Sequence, residues 1–393
     1  MTWHQSASHA DIPPSALTAA DVARMYETLL GRTPAHDEVA QQMAATSDWR
    51  LLLEAVTLSP EFRARHQNSV AASANRAPAV VNFWHPDLGG YSHASGTWST
   101  DGEAVVGTEG WIYLARGTNS VLSQYEPDFA LPPRWGEEWT EAVQARVSEA
   151  STLGASLAML VVPDKLSVLD DYLPRGIALT NVPPGLRLTT ELGLPILYPV
   201  AALSQVPGGA YLRTDTHLSL AGNMALASMV LGTISDPRHP VVDVSESATT
   251  YLSAGDLGRR FEPAVVEVMS AFASLGRATL TDDNLTSVQA TGRHLGSRRV
   301  LRNETAEDSR TVVIFGDSYS VPTANYHGLA WFLAQHFAET HFVWSPFGWD
   351  LEYAANVGAG VVVCEMAERF VPRPPDVRFD VATLVANAVR TSE

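Results

Sequence analysis

The chain has 393 residues, 46% hydrophobic and 18% charged, enough to bury a large core and long enough for two units, one small and one large. Its 26 basic against 43 acidic residues give a net charge of −17, which argues against nucleic acid or an anionic membrane as a main partner, since both need a basic footprint. The single cysteine, Cys364, excludes an intrachain disulfide and a cysteine-based metal site; at the end of the run GVVVC it reads as a small buried hydrophobe.

The opening stretch MTWHQSASHADIPPSALTAAD has no basic segment followed by an apolar one, so no secretory signal is read. No apolar run reaches the ~18 residues of a membrane helix, and the expected compartment is the cytoplasm. Residues 1–66 read as a helical accessory domain. Thr18 and Asp21 fit a capping box ahead of Val22, Met25, Tyr26, Leu29 and Leu30, which share one helix face, and Gly31 and Pro34 stop that helix. Helical pattern continues over 38–45 and 49–58. The small, polar, Pro-containing stretch NSVAASANRAPAVV marks a linker at 67–81.

Residues 82–393 change character. The apolar runs LAMLVV (157–162), PILYPV (195–200), TVVIF (311–315), HFVW (341–344) and GVVVC (360–364) alternate with helical patterns at 137–153, 218–231 and 326–339. Such alternation predicts an α/β domain with a mainly parallel sheet covered by helices on both faces, and function at the carboxyl ends of its strands. Residues 232–310 break the rhythm with proline, glycine and charge, and read as an excursion from the sheet.

Two short motifs carry chemistry. In VVIFGDSYSVP, Ser318 follows a buried strand at a turn, where nearby N–H groups face a developing oxyanion; the alternative is a turn or helix-capping serine. In YLRTDTHLSLAGNMAL, Asp215 and His217 lie two apart, so in an extended segment they point the same way, and the carboxylate can hold Nδ1 while Nε2 acts as base. Either residue can instead cap the following helix. A rival pair, Asp236 and His239, has Asp-x-x-His spacing but falls in a Pro-bracketed turn, and reads as surface. The histidines of NFWHPDLGGYSH (82–93), like His4 and His9, show no metal-ligand pattern.

Asp-Thr-His before a helix, followed about a hundred residues later by strand–Gly-Asp-Ser-Tyr-Ser, resembles the AlgJ/AlgX-type alginate O-acetylation proteins of the SGNH hydrolase-like superfamily. The permuted order, histidine before serine, is that of this branch. GTEGWIYL (107–114), VVPDKLSVLDDYLP (161–174), SAGDLGRRF (253–261) and VVVCEMAERF (361–370) are similar to further family elements, so the likeness spans roughly 100 to 375. In the helical region, VARMYETLLGRTP with LSPEFRAR is similar to small modules appended to bacterial cell-surface and glycan-related proteins.

The resemblance implies an SGNH-like three-layer α/β/α domain, with Ser318 as nucleophile, His217 as base and Asp215 as its orienting acid. Asp317 is expected to bond the N–H groups of the turn, the Tyr319 N–H to serve the oxyanion hole, and Glu365 with Arg369 to form a structural ion pair. Tyr319, Asn325, Tyr326 and Trp349 are candidates for substrate binding, each open to a packing role instead. The aromatic loop 82–93 is open to both roles in the same way, and Leu218, where the family usually carries tryptophan, implies a different wall of the acceptor site. The implied activity is O-acetyl transfer from an acetyl donor to a glycan acceptor through an acyl-enzyme, with no metal or dissociable cofactor. Other polysaccharide-biosynthesis proteins are implied partners, and a periplasmic or extracellular setting is the alternative to the cytoplasm. An acetylesterase with the same triad and a non-catalytic glycan-binding scaffold are the other readings.

Overall fold

The computed structural model describes residues 93–117, 119–234, 248–262, 264–272, 276–284, 294–322, 327–376 and 380–383, the strand 82–84, and part of 18–61, including 32–45. In that first part, Val22, Tyr26 and Leu30 recur every four residues and are buried, as are Leu52 and Val56, which is the one-sided burial expected of an amphipathic helix. A helix α1, His36–Ala45, follows, and Arg32 joins Glu38 at 2.8 Å and Glu61 at 2.6 Å. Asp21, Met25 and Leu29 lie outside the described residues, as does the rival pair Asp236 and His239.

In chain order the strands are β1 (Asn82–Trp84), β2 (Ala104–Val106), β3 (Ile112–Leu114), β4 (Ser156–Val162), β5 (Ala248–Ser253) and β6 (Val265–Phe272). They continue with β7 (Thr279–Asp283), β8 (Arg298–Arg302), β9 (Asp308–Gly316), β10 (Phe337–Trp344) and β11 (Ala359–Ala367). The helices that pack on the main sheet include α2 (Trp135–Leu153), α3 (Leu220–Ile234), α4 (Leu329–Ala334) and α5 (Leu351–Asn356). The main sheet has six strands in the order β4-β11-β9-β10-β8-β7. β4, β11, β9 and β10 run parallel, while β8 and β7 add an antiparallel edge.

Strand alternation divides the core into two layers. Ala158, Leu160 and Val162 of β4, Val312 and Ile314 of β9, and Val361 and Val363 of β11 face a cluster that includes α3 and α4. Met159 and Val161, Val313 and Phe315, and Val362 and Cys364 face the opposite cluster, with Trp135, Trp139 and Val143 of α2. The sheet is therefore covered on both faces, and its parallel strands read as unbroken apolar runs for that reason. Cys364 is fully buried, as its run implies.

Three expectations need correction. PILYPV forms no strand; Leu197 makes a single parallel bridge with Leu160, because the flanking prolines lack N–H groups for a ladder. Residues 232–310 are only partly an excursion: β5 and β6 join β1 in a separate three-stranded sheet, but β7 and β8 belong to the main sheet. The helix expected over 326–339 shortens to α4, since the chain has already entered β10 at Phe337.

Candidate active site

At the carboxyl end of β9 the chain turns sharply through Gly316, Asp317, Ser318, Tyr319 and Ser320. A Cβ on Gly316 would lie 2.6 Å from Glu365 Oε2 and 2.9 Å from Ser320 Oγ, so only glycine lets the strand pass this close. Asp317 pins the turn: Oδ1 accepts the Tyr319 N–H at 3.0 Å, and Oδ2 accepts the Ala367 N–H at the end of β11 at 2.7 Å. Glu365, fully buried on β11, adds a second stitch. Its Oε2 accepts the Asp317 N–H at 3.0 Å and the Ser320 hydroxyl at 2.6 Å, while Oε1 is buried with no partner. Burial and the neighbouring Asp317 charge push the Glu365 carboxyl well above the usual carboxylate range. Ser318 itself stands half-buried at the apex.

The second motif sits beside it. Asp215 Oδ1 accepts the His217 ring Nδ1–H at 2.6 Å and the His217 backbone N–H at 2.9 Å, and Oδ2 accepts the Asp256 N–H at 2.9 Å. Burial alone would raise the Asp215 carboxyl, but the His217 charge and these bonds hold it well below the usual range. Burial would lower the His217 imidazole, and Asp215 more than offsets this, so its pKa is raised. Tyr319 links the two motifs. Its hydroxyl donates to the Thr216 carbonyl at 2.8 Å, and its ring centre lies 5.4 Å from that of His217. The residue after Ser318 is thus bonded to the residue between Asp215 and His217.

With this geometry in place, comparison with known proteins decides the family. Residues 104–345 match the SGNH hydrolase-like domain of the acetyltransferase AlgX. The chain belongs to that family.

The AlgX family makes the protein an SGNH hydrolase-like acetyltransferase at the level of the family. Among solved structures, the chain is similar to the O-acetyltransferase domain of Pseudomonas putida AlgJ, with 17% identity over 73% of this chain and 99% of that one and a TM-score of 0.42. Bacillus cereus PatB1 gives 14% identity over 70% and 98%, with a TM-score of 0.47. Pseudomonas aeruginosa AlgX gives 15% over 68% and 66%, with a TM-score of 0.36. No curated protein sequence matches the chain significantly.

Around this AlgX-type pair, residues without an expected role hold the backbone. Lys165, buried just beyond β4, donates from Nζ to the carbonyls of Ile112 (2.8 Å), Arg213 (3.2 Å) and Asp215 (2.7 Å). Burial pushes its ammonium down to about 8. Asp256 accepts the Thr216 N–H at 2.7 Å and the Thr216 hydroxyl, and Glu267 accepts the Thr214 N–H at 2.6 Å and hydroxyl at 2.8 Å. Gly255 allows this approach: its φ is +59°, and a Cβ there would lie 2.4 Å from the Thr214 carbonyl oxygen. Asp215, His217 and Asp256 form the one grouping of potential metal ligands among the described residues. All four of its carboxylate oxygens already accept protein N–H or O–H donors.

Several expected roles move. Arg369 pairs with Asp164 at 2.7 Å and not with Glu365, which instead serves the nucleophile turn. The Tyr319 N–H, expected at the oxyanion hole, donates to Asp317 Oδ1 at 3.0 Å. The Tyr319 side chain is fully buried and Trp349 is 1% exposed, the latter packing 6.3 Å from Phe315; both are core residues and not walls of an open acceptor site. Leu218 is likewise buried in the core, away from any open wall. Asn325 and Tyr326 lie outside the described residues, as do 85–92, while the His93 ring lies 5.2 Å from Phe261. Among the described residues no helix is long and apolar enough to cross a membrane.

Proposed function

We propose that the protein transfers an acetyl group from an activated ester to a glycan hydroxyl through an acyl-enzyme on Ser318. The observation that carries the reading is the Tyr319 clasp, which ties the Ser318 turn to the backbone that presents His217. Asp215 holds Nδ1 in the tautomer that leaves Nε2 to take the serine proton. Ser318 Oγ attacks the acetyl carbonyl, Nε2 accepts its proton, and the same proton passes to the departing donor oxygen. The acceptor hydroxyl then attacks the acyl-enzyme while Nε2 takes its proton, and that proton returns to Oγ as the ester product leaves.

With the Tyr319 N–H occupied, the Ser318 N–H is the backbone donor assigned to the developing oxyanion. Ser318 and His217 are not hydrogen-bonded to one another in this structure, and catalytic hydrogen bonds of this kind commonly tighten in the substrate complex. Discrimination against water rests on positioning, which gives effective molarities far above the roughly 55 M of the solvent.

Intact mass spectrometry after incubation with p-nitrophenyl acetate tests the reading. A single added acetyl group is expected on the wild type and none on Ser318→Ala. The adduct is expected to persist in buffer and to discharge faster with a suitable oligosaccharide. Label retained by Ser318→Ala removes the assignment of the nucleophile. Rapid discharge in buffer, unchanged by any glycan, makes the protein an esterase.

A further inference from the structure

The carboxyl edge of the main sheet holds a cleft that the acyl-transfer residues do not themselves fill. It measures about 420 Å³ and lies between residues 119–129, the turn Ser345–Gly348 after β10, and residues 366–376 beyond β11. That volume is typical of sites for small ligands, which run from about 300 to 1,000 Å³. Two of its walls touch the nucleophile turn. The Ser345 N–H donates to the Gly316 carbonyl at 2.8 Å, and the Arg369 guanidinium lies 5.5 Å from the Tyr319 ring centre. A larger hollow of about 610 Å³ is lined by Leu157, Leu197 and Thr233, at the start of β4 and the end of α3, away from that edge.

The lining is apolar and amide-bearing. Phe129 and Phe370 are half-buried, and Leu295 is 49% exposed. Asn119 and Gln124 supply carboxamides. Gln124 Nε2 donates to the Asn119 and Arg369 carbonyls at 3.0 Å each, and its buried Oε1 takes no donor. Aromatic and aliphatic surface suits the C–H face of a pyranose, and carboxamides suit its hydroxyls. The charges cancel: Arg369 is held by Asp164, and exposed Arg373 shares the cleft with Asp376. Among the described residues no surplus cation lines the cleft to hold a polyanion, which would also approach against a chain of net charge −17.

We propose that this cleft seats the acceptor and that the acceptor is a neutral glycan, an inference that rests on the acyl-transfer reading above. Calorimetry on the full chain tests it, with cellopentaose and chitopentaose as neutral probes and pentagalacturonate as the acidic one. The neutral probes are expected to bind saturably, with less than about a twofold change in Kd between about 20 and 300 mM NaCl, because exposed charges alone are screened over that range. Phe129→Ala and Leu295→Asp, shown folded by thermal melts, are each expected to weaken that binding about tenfold. No binding of either neutral probe, unchanged binding by both variants, or tighter and salt-sensitive binding of pentagalacturonate overturns the proposal. Sugar binding without Ser318 acylation removes the transferase reading and leaves the cleft as a sugar site. Acylation without sugar binding does the reverse.

Discussion

Glu365→Gln measures what holds the nucleophile turn. Glu365 is fully buried, has no cation among its hydrogen-bond partners, and uses one oxygen to accept two donors from the turn. Its carboxyl is raised by burial and by Asp317, so the fold retains a proton that the unfolded chain releases near the ordinary value of about 4.3. The protonated form is the one the fold favours. Stability from this residue is therefore fully present below the unfolded pKa and is lost as pH rises toward the folded one. The loss approaches about 1.4 kcal/mol per pH unit for as long as the proton is held. Glutamine has the same shape, keeps the carbonyl acceptor and cannot ionise. Urea denaturation of both proteins at intervals from pH 4 to 8 should thus find them similar at the acid end, with the glutamine variant increasingly the more stable above it. Glu365→Ala strands the Asp317 N–H and the Ser320 hydroxyl, at about 1 to 3 kcal/mol each, and should fall below the glutamine variant at every pH. A flat difference between wild type and Glu365→Gln, or one that favours wild type with rising pH, would refute a protonated Glu365.

Asp215→Asn removes the charge that raises His217, so the acid limb of the kcat/KM profile should move to lower pH, while kcat falls by up to about 10⁴-fold from loss of the tautomer; an unmoved limb would separate His217 from that titration. Lys165→Met leaves three carbonyls without their shared donor and should cost about 3 kcal/mol or more in denaturation midpoint analysis, with a larger loss in kcat than in KM. Gly255→Ala drives a Cβ into the Thr214 carbonyl and the Asp215 side chain and should disturb the His217 ring resonances by NMR, whereas Gly232→Ala, with open space around its Cβ and no positive φ, should not.

The sequence made the parallel strands plain because each is buried on both faces, so β4, β9, β10 and β11 appear as continuous apolar runs. The two antiparallel strands β7 and β8 were hidden for the opposite reason. TLTDD and RRVLR carry charges on exposed positions, with Arg298 paired to Asp282 and Arg299 to Asp283 across the ladder, and such residues look like loop. The Asp215–His217 contact was legible from spacing, since two residues apart in an extended segment share a side. The buried acids were not. Nothing in the composition around Glu267, Asp256 or Glu368 separates them from surface acids, although Glu368 takes the Asp164 N–H and three hydroxyls. Trp349 failed as a surface candidate because a strand-end aromatic can turn inward as readily as outward, and here it packs under α5.

The position of β11 bears on how the chain is made. This strand lies between β4 and β9, yet it is the last of the eleven to be synthesised. From the end of β4 at Val162 to the end of β11 at Ala367, the ribosome adds about 205 residues, on the order of 10 to 40 s of translation. Until β11 emerges, the edge of β4 that it covers stays unpaired, a second such edge joins it once β9 is made, and the Glu365, Ala367 and Arg369 contacts to the Ser318 turn do not yet exist. Open edges of that kind recruit other strands. A protein truncated before residue 359 would therefore lack both the contacts that shape its nucleophile and the means to stay soluble, and its synthesis would depend on chaperones that shield those edges until the last strand arrives.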